Sequence, residues 1–291
     1  MGRASRKKML RVAILGDHRK ERVAEAIAEF SDFIKHKAET VMSCRIDECT
    51  GENLRGADYA VVFGGDGSII CAARQLSRAG VPVIGVNVGK LGFLAEFSVE
   101  ELKEFFPRLQ RGDAPMERRM MLLCRIFRNG KESFSSTAVN DVYITAGPPF
   151  RMIELRMSVD GQHLGECVSD GLVVSTPTGS TAYNLSAGGP ILSQKMLGMV
   201  ITTICPHSLS FRPIVITADS VVEIKGVRLN EGTTVSIDGQ VSQELYIDDV
   251  VQVRREQKGF LVVNNPLRSE WDTLATKLGW AEKPKYQGEP E

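Results

Sequence analysis

The sequence predicts an α/β domain built on a parallel sheet, followed by a β-rich, sandwich-like domain. Three observations carry that expectation. Apolar runs of strand length alternate with stretches of helical periodicity in the first part of the chain. Helical periodicity disappears from about Arg118, and Asx-Gly pairs then separate short strand-like runs. With 291 residues, 43% of them hydrophobic, the chain is long enough for two domains and can fill a sizeable core.

The elements follow in order. "MLRVAILGD" reads as a buried parallel strand ending at Gly16, and Val23, Ile27, Phe30 and Ile34 follow at helical spacing in a charged stretch. "DYAVVF" is a second strand, "GGDG" a turn, and "SIICAARQLSRA" a helix with Ile69, Ala72, Ala73 and Leu76 inward and Gly80 as its stop. "VPVIGVN" is the next strand. "SVEELKEFFPRL" is a third helix, opened by Ser98 and Glu101 in capping-box spacing and closed before Gly112. Such alternation implies a parallel sheet covered on both faces.

In the second half "LLCRIF" runs into Asn129-Gly130, "ELRMSV" into Asp160-Gly161 and "TTVSI" into Asp238-Gly239, each a hairpin signal. "SEWDTLATKLGW" is helical again, with Ser269 as N-cap and Gly279 as stop, and is expected to return to the first domain. The expected domains are therefore 1–117 with 266–291, and 118–265.

Charge and composition narrow the partners. Lys+Arg and Asp+Glu both total 36, so no electrostatic footprint for nucleic acid or an anionic membrane is visible, and small molecules are the expected partners. The basic "MGRASRKKML" precedes no apolar segment long enough for a signal peptide or membrane span, which points to a cytoplasmic chain. The six cysteines form no CxxC pair and the four histidines no HExxH, so any metal is expected to arrive with a phosphate.

Three stretches could carry chemistry. In "YAVVFGGDGSII", Gly64, Gly65 and Gly67 let a ligand approach the backbone where a strand ends and a helix begins. The helix N-terminus suits a phosphate and would also hold the Asp66 carboxylate. On this stretch alone a ligand site and an ordinary tight turn weigh equally. Spacing excludes GxGxxG, since Ser68, Ile69 and Ile70 follow Gly67. It also excludes a Walker A at "GVNVGKL", which is one residue short and has Leu91 where Ser or Thr belongs.

In "SDGLVVSTPTGSTAYNLSAGGPIL", Ser180 and Thr181 can exchange hydrogen bonds with a base or ribose, Tyr183 can stack on an adenine, and two groups of glycines admit the backbone. A binding loop outweighs a solvated turn here. Asn140 and Asp141 in "VNDVYI" are, taken alone, more ordinary as a turn or cap.

Taken together, GGDGS at 64–68, "NVGKLGFL" at 87–94, "NDV" at 140–142, "DGLVVSTPTGSTAYNLSAGGPIL" at 170–192 and "DGQ" at 238–240 resemble the NAD kinase family in order and spacing. TPTGSTAYN is the specific part, because GGDG alone is shared with phosphofructokinases and diacylglycerol-type lipid kinases. The resemblance implies an active site in the crevice between the two domains, and transfer of the terminal phosphoryl group of ATP, with a divalent cation such as Mg²⁺, to the 2′-hydroxyl of the adenosine ribose of NAD. It places Asp66 near that hydroxyl, assigns NAD contacts to Asn140, Asp141, Asp170, Ser180, Thr181, Ala182 and Tyr183, and implies a homodimer or homotetramer. Ser68 replaces the family's usual threonine, and Asp141 replaces a glutamate, which shortens that carboxylate's reach by one methylene.

The chemistry is consistent with this. Phosphoryl transfer through a loose transition state rests on alignment and charge neutralisation, so a carboxylate that accepts the alcohol's proton late, or that helps seat the metal, is sufficient. The alternatives are another GGDG kinase acting on a lipid or sugar phosphate, and a nucleotide-binding regulator without turnover. A carboxylate beside phosphates disfavours the latter, since mere binding gains nothing from like charges.

Overall fold

The computed structural model describes residues 9–49, 52, 54–89 and 92–279, so Lys90 and Leu91 of the "NVGKLGFL" stretch, the basic N-terminal tail and residues 280–291 lie outside the described residues. The chain divides into two compact units. One comprises residues 1–72, 81–117 and 262–291, the other 73–80 and 118–261.

The first unit begins with strand β1 (Leu10–Gly16), helix α1 (Glu21–Ile34) and strand β2 (Ala38–Cys44), and continues with strand β3 (Tyr59–Gly64), helix α2 (Asp66–Ala79), strand β4 (Val83–Asn87) and helix α3 (Val99–Arg111). Strand order is β2-β1-β3-β4, all parallel, as the alternating pattern requires. The central strands are buried along their length, which explains why they read as continuous apolar runs rather than as alternation.

Helix α1 buries Val23, Ile27, Phe30 and Ile34, the predicted face. Phe30 is fully buried, with ring centroids 5.6 Å from Phe63 and 6.1 Å from Phe106, so α1, β3 and α3 meet in one aromatic cluster. Helix α3 has the predicted capping box between Ser98 and Glu101 and ends at Gly112 with φ 72°. Helix α2 starts at Asp66, two residues before the predicted helix start at Ser68, so Gly67 and Ser68 lie in its first turn. Its residues Ala73–Ala79 belong to the second unit.

The second unit takes most of strand β5 (Met116–Arg128), then β6 (Lys131–Ala138), β7 (Asp141–Thr145), β8 (Ile153–Val159), β9 (Gln162–Ser169) and β10 (Gly171–Ser175). The short helix α4 (Tyr183–Ser186) follows, then β11 (Gly198–Ile204), β12 (Ile214–Thr217), β13 (Val221–Arg228), β14 (Thr234–Ile237), β15 (Val241–Glu244) and β16 (Val250–Val263). Strands β16-β13-β8-β9 form one antiparallel layer, extended by β5 on β16 and β6 on β5. The other layer runs β12-β11-β10-β7-β14-β15. Both layers contribute to a single core that includes Leu122, Ile144, Leu155, Val174, Val222 and Val253.

The predicted Asx-Gly turns join β5 to β6, β8 to β9 and β14 to β15. Asn129, Asp160 and Asp238 have φ of 51°, 52° and 53°, each followed by a glycine that is also positive; the first two close two-residue hairpins, and Asp238 opens the three-residue turn 238–240.

From Val262 the chain rejoins the first unit, where Val262 pairs with Val83 in parallel. Asn265 donates to Glu96, its backbone N–H at 2.8 Å, and Arg268 pairs with Glu101 at 2.8 Å. Helix α5 (Glu270–Leu278) follows, capped by Ser269 and ended at Gly279 with φ 59°, as its sequence predicts. Truncating Phe30→Ala removes the ring on which α1, β3 and α3 converge and should destabilise the first unit by about 3–5 kcal/mol. Denaturant melts followed by circular dichroism would measure this, and a loss below about 1 kcal/mol would contradict the packing role.

Candidate functional site

Asp66 is the first residue of α2, and its carboxylate does not cap its own helix. Phe93 N–H donates to Oδ2 at 2.8 Å, while Leu94 and Ala95 N–H donate to Oδ1 at 2.9 and 3.2 Å. A carboxylate offers about four acceptor positions, so these bonds fix its plane and leave one on Oδ2. The side chain is 28% exposed, and Lys277 of α5 brings its ammonium to 4.0 Å of Oδ2 while lying over the Phe93 ring, 5.0 Å from its centroid. Gly92 explains how the loop comes so close, because a Cβ there would sit 1.9 Å from Asp66 Oδ1.

Beside Asp66, a cavity of about 210 Å³ is lined by Gly64, Gly65 and Ser68 at the start of α2, by Asn87 and Gly89 after β4, and by Asp17 and Lys20 after β1. These residues all follow the carboxyl ends of parallel strands, where ligands settle in open α/β sheets. Gly65 and Gly67 are exposed, so their backbone can be approached.

The second unit carries the remaining predicted residues at the start of β7, between β9 and β10, and in the loop after β10. Asp141 opens β7, opposite Ser175 at the end of β10. Its carboxyl is almost completely buried. Burial first, and the neighbouring Asp238 charge second, push it up to about 7, against the stabilising Tyr183 N–H. The Tyr183 ring meets Tyr143 edge to face with centroids 4.8 Å apart. Asp170 lies near enough to raise the Tyr183 phenol, after burial and the Tyr143 and Cys205 charges, together with Asp141.

The TPTGSTAYN loop is more internally bonded than its polar composition suggests. Ser180 is fully buried, donates to Pro177 O at 2.7 Å and accepts from Leu192 N–H at 3.0 Å. Thr181 Oγ1 reaches Thr178 O at 3.4 Å. Asn184, also buried, donates to Ser180 O and Pro190 O and accepts from Thr202 Oγ1 at 2.7 Å. Gly179 lies against the Asn140 backbone, where a Cβ would be 2.1 Å from Asn140 O, so the loop locks onto the "ND" turn. Ala182 and Tyr183 are half-buried beyond this knot.

Sequence reasoning missed the Phe93–Ala95 amides, Lys277, Asp17, Lys20 and Asn184. Phe93 and Leu94 lie inside "NVGKLGFL" and Asn184 closes TPTGSTAYN, stretches that the family pattern marks without giving these groups a role; Ala95, Lys277, Asp17 and Lys20 have no local signature.

Comparison with known proteins bears on what such an arrangement serves. A model of the ATP-NAD kinase N-terminal domain matches residues 14–114, and one of the C-terminal domain matches residues 139–265. The NAD kinase of Rhodopirellula baltica is 36% identical, covering 93% of this chain and 87% of that protein. The NAD kinase of Geotalea daltonii is also 36% identical, with 95% and 100% covered. Yeast NADH kinase, solved with NADH, superposes with a TM-score of 0.84 at 25% identity, over 95% of this chain and 89% of that one. An Archaeoglobus fulgidus NAD kinase solved with ATP shares the fold, with a TM-score of 0.74 at 22% identity over 93% and 99%. A GGDG carboxylate fixed by backbone amides, a TPTGSTAYN loop locked onto an Asn-Asp turn, and matches to both domains over most of the chain lead to one conclusion: the chain belongs to the ATP-NAD kinase family.

Proposed function

We infer that this chain is an NAD kinase, transferring the terminal phosphoryl group of ATP to the 2′-hydroxyl of the adenosine ribose of NAD to make NADP. The observation that carries this is the fixed Asp66 carboxylate, on whose Oδ2 one acceptor position stays open among the described residues. Such an oxygen can receive the ribose O–H, orient it towards phosphorus and accept its proton as the new P–O bond forms. Gly64, Gly65 and Ser68 line the cavity where α2 starts, with Gly67 beside them, and offer close backbone approach, a hydroxyl and a helix dipole to phosphate oxygens. Lys277 adds a positive charge next to Asp66.

The donor set fits Mg²⁺. That ion keeps most of its waters and takes one or two carboxylates plus substrate phosphates, so Asp66 Oδ2 would be the protein's contribution only where it does not accept the ribose O–H. When bound, the cation neutralises charge on the donor's phosphates. Among the described residues no group of three or more His, Cys, Asp or Glu side chains could hold a metal without such phosphates.

Residues 118–265 are proposed as the NAD-holding domain. Asn140, Asp141, Asp170, Thr181, Ala182 and Tyr183 face NAD, and Ser180 acts through its internal bonds by keeping the loop in shape. The chain is proposed to work in the cytoplasm, which suits six free cysteines. It is also proposed to form a homodimer or homotetramer through its β-rich unit, where Leu197, Leu209, Ile214 and Val215 are exposed. No helix among the described residues is long and apolar enough to cross a membrane.

Incubating the protein with NAD, ATP and Mg²⁺ should yield NADP, and absence of product at saturating substrates would leave a lipid or sugar-phosphate kinase, or a regulator without turnover, in its place. Asp66→Asn keeps the shape and removes the proton acceptor, so turnover should fall by about 10²-fold or more while NAD still binds. Gly92→Ala should reproduce that loss in a folded protein, because the new methyl displaces the carboxylate. Normal turnover in either variant would remove Asp66 from the reaction.

Asp141 gives a pH dependence of known sign. A ribose hydroxyl donates to the ionised form, so NAD binding favours loss of the proton. Affinity should therefore weaken as pH falls through about 7, by up to about tenfold per pH unit. Calorimetric titration with NAD alone from roughly pH 5.5 to 8.5 checks this, since NAD's own groups do not titrate there. Asp141→Asn should flatten the profile, and a flat wild-type profile would show that NAD does not sense Asp141.

A further inference from the structure

The "DGQ" stretch belongs to the family pattern read from the sequence, yet its aspartate is given no role by the site described above. Asp238 occupies the first corner of the β14–β15 hairpin with φ 53°, and its side chain is completely inaccessible to solvent. The carboxylate is turned towards the chain that enters β7. Oδ1 accepts from the N–H groups of Val139 at 3.1 Å, Asn140 at 2.7 Å and Asp141 at 3.2 Å, and Oδ2 accepts again from Val139 at 3.0 Å.

The opposite side of the same turn is also satisfied. Thr176 Oγ1 donates to Val139 O at 2.6 Å, Thr176 N–H to Asn140 O at 2.8 Å, and Asp238 N–H to Asp141 O at 3.0 Å. Every backbone donor and acceptor of residues 139–141 thus has a partner, and three of the donors end on one side chain. Arg74, in the part of α2 that belongs to the same unit, reaches Asp238 Oδ2 at 3.5 Å and Gln240 Oε1 at 2.6 Å. A carboxylate buried this deeply persists only where donors and a cation compensate its desolvation.

We propose that Asp238 is a positioning residue for NAD: anchored by Arg74, its carboxylate fixes the Val139–Asp141 turn and so sets the direction in which Asn140 and Asp141 present their side chains. The proposal rests on the reading that those two side chains contact NAD. The alternative for a buried aspartate, a contribution to fold stability alone, would not select three consecutive amides of a substrate-facing turn.

The electrostatics give a readout that loosening of the structure would not imitate. Asp141 is faced by Asp238 from the β14–β15 turn, by Arg74 behind it, by the Tyr183 N–H, and by the Tyr143 and Tyr183 phenols, with Asp170 and Cys205 beyond Tyr183. Burial raises Asp238 as well, against the Val139, Asn140 and Asp141 N–H groups and the Arg74 cation. Removing the Asp238 charge lowers the midpoint at which NAD binding is lost in acid, whereas removing the Arg74 cation raises it. A loosened turn would admit water to Asp141 and lower the midpoint in both variants.

The experiment is NAD titration calorimetry across pH on wild-type protein, Asp238→Asn, Asp238→Ala, Arg74→Gln and Asn140→Ala, with thermal melts of each and turnover at saturating NAD. Asp238→Asn retains a carbonyl oxygen for the amides and should weaken NAD several-fold. Asp238→Ala leaves buried N–H groups unpaired and should weaken it by about tenfold or more. In both, turnover at saturating NAD should stay within about threefold of wild type, because the reacting groups are untouched. The midpoint should move down in Asp238→Asn and up in Arg74→Gln.

Unchanged NAD affinity in folded Asp238→Asn and Asp238→Ala, or midpoints that move down together, would overturn the positioning role. If Asn140→Ala also leaves NAD affinity unchanged, the assignment of the turn to NAD fails instead. If Asn140→Ala weakens binding and the Asp238 variants do not, only the positioning role fails. Should Asp238→Ala not fold, Asp238→Asn and Arg74→Gln decide alone.

Discussion

An aspartate side chain that collects three consecutive backbone N–H groups is the interaction that recurs in each of the two units. In the first unit Asp66 gathers Phe93, Leu94 and Ala95, and in the second Asp238 gathers Val139, Asn140 and Asp141. Consecutive amides in an extended stretch point to opposite sides, so three that converge define a local concavity, and an anion is what stabilises it. In one case the bonded carboxylate is itself the proposed reacting group, oriented by the loop. In the other it is the support, and the loop carries the working side chains. The charge-assisted bonds are shorter and stronger than neutral ones, which suits groups whose direction must be held while substrates exchange.

Two backbone approaches make these anchors possible, and both rely on a missing side chain. Gly92 lets its loop close over Asp66, and Gly179 lets the TPTG segment lie on the Asn140 peptide. The loop that looked most polar in the sequence is held as a knot by Ser180, Asn184 and Thr202, all buried. The Ser180 hydroxyl and the Asn184 amide are directed inward, and Ala182, Tyr183 and the neighbouring Asn140 are left half-buried beside the knot.

The architecture was legible from local patterns. The burial of Val23, Ile27, Phe30 and Ile34, the capping boxes at Ser98 and Ser269, and the positive-φ Asx-Gly corners at 129, 160 and 238 are each decided within a few residues, where period, cap and turn chemistry act. The start of α2 was misjudged because Gly67 has poor helix propensity, yet the Asp66 side chain is bound from outside the helix and the backbone continues through the glycine. What could not be read were bonds between distant positions. Phe93 lies 27 residues from Asp66, Val139 lies 99 from Asp238, and Lys277 reaches Asp66 from the last described helix, so their meeting is a product of chain topology. Tyr183 and Ser180 looked alike as polar loop residues, and only burial separates them.

The first unit is interrupted in sequence: it closes with residues 262 onward, after 118–261 have formed another unit. Translation therefore delivers the sandwich complete while the earlier α/β body still lacks Val262 beside β4 and the Asn265 and Arg268 clamps on Glu96 and Glu101. A nascent polypeptide halted anywhere before that point exposes the flank of β4 and has no Lys277 near Asp66. Closure of the α/β body is thus a late event in synthesis, dependent on residues made after the whole of 118–261.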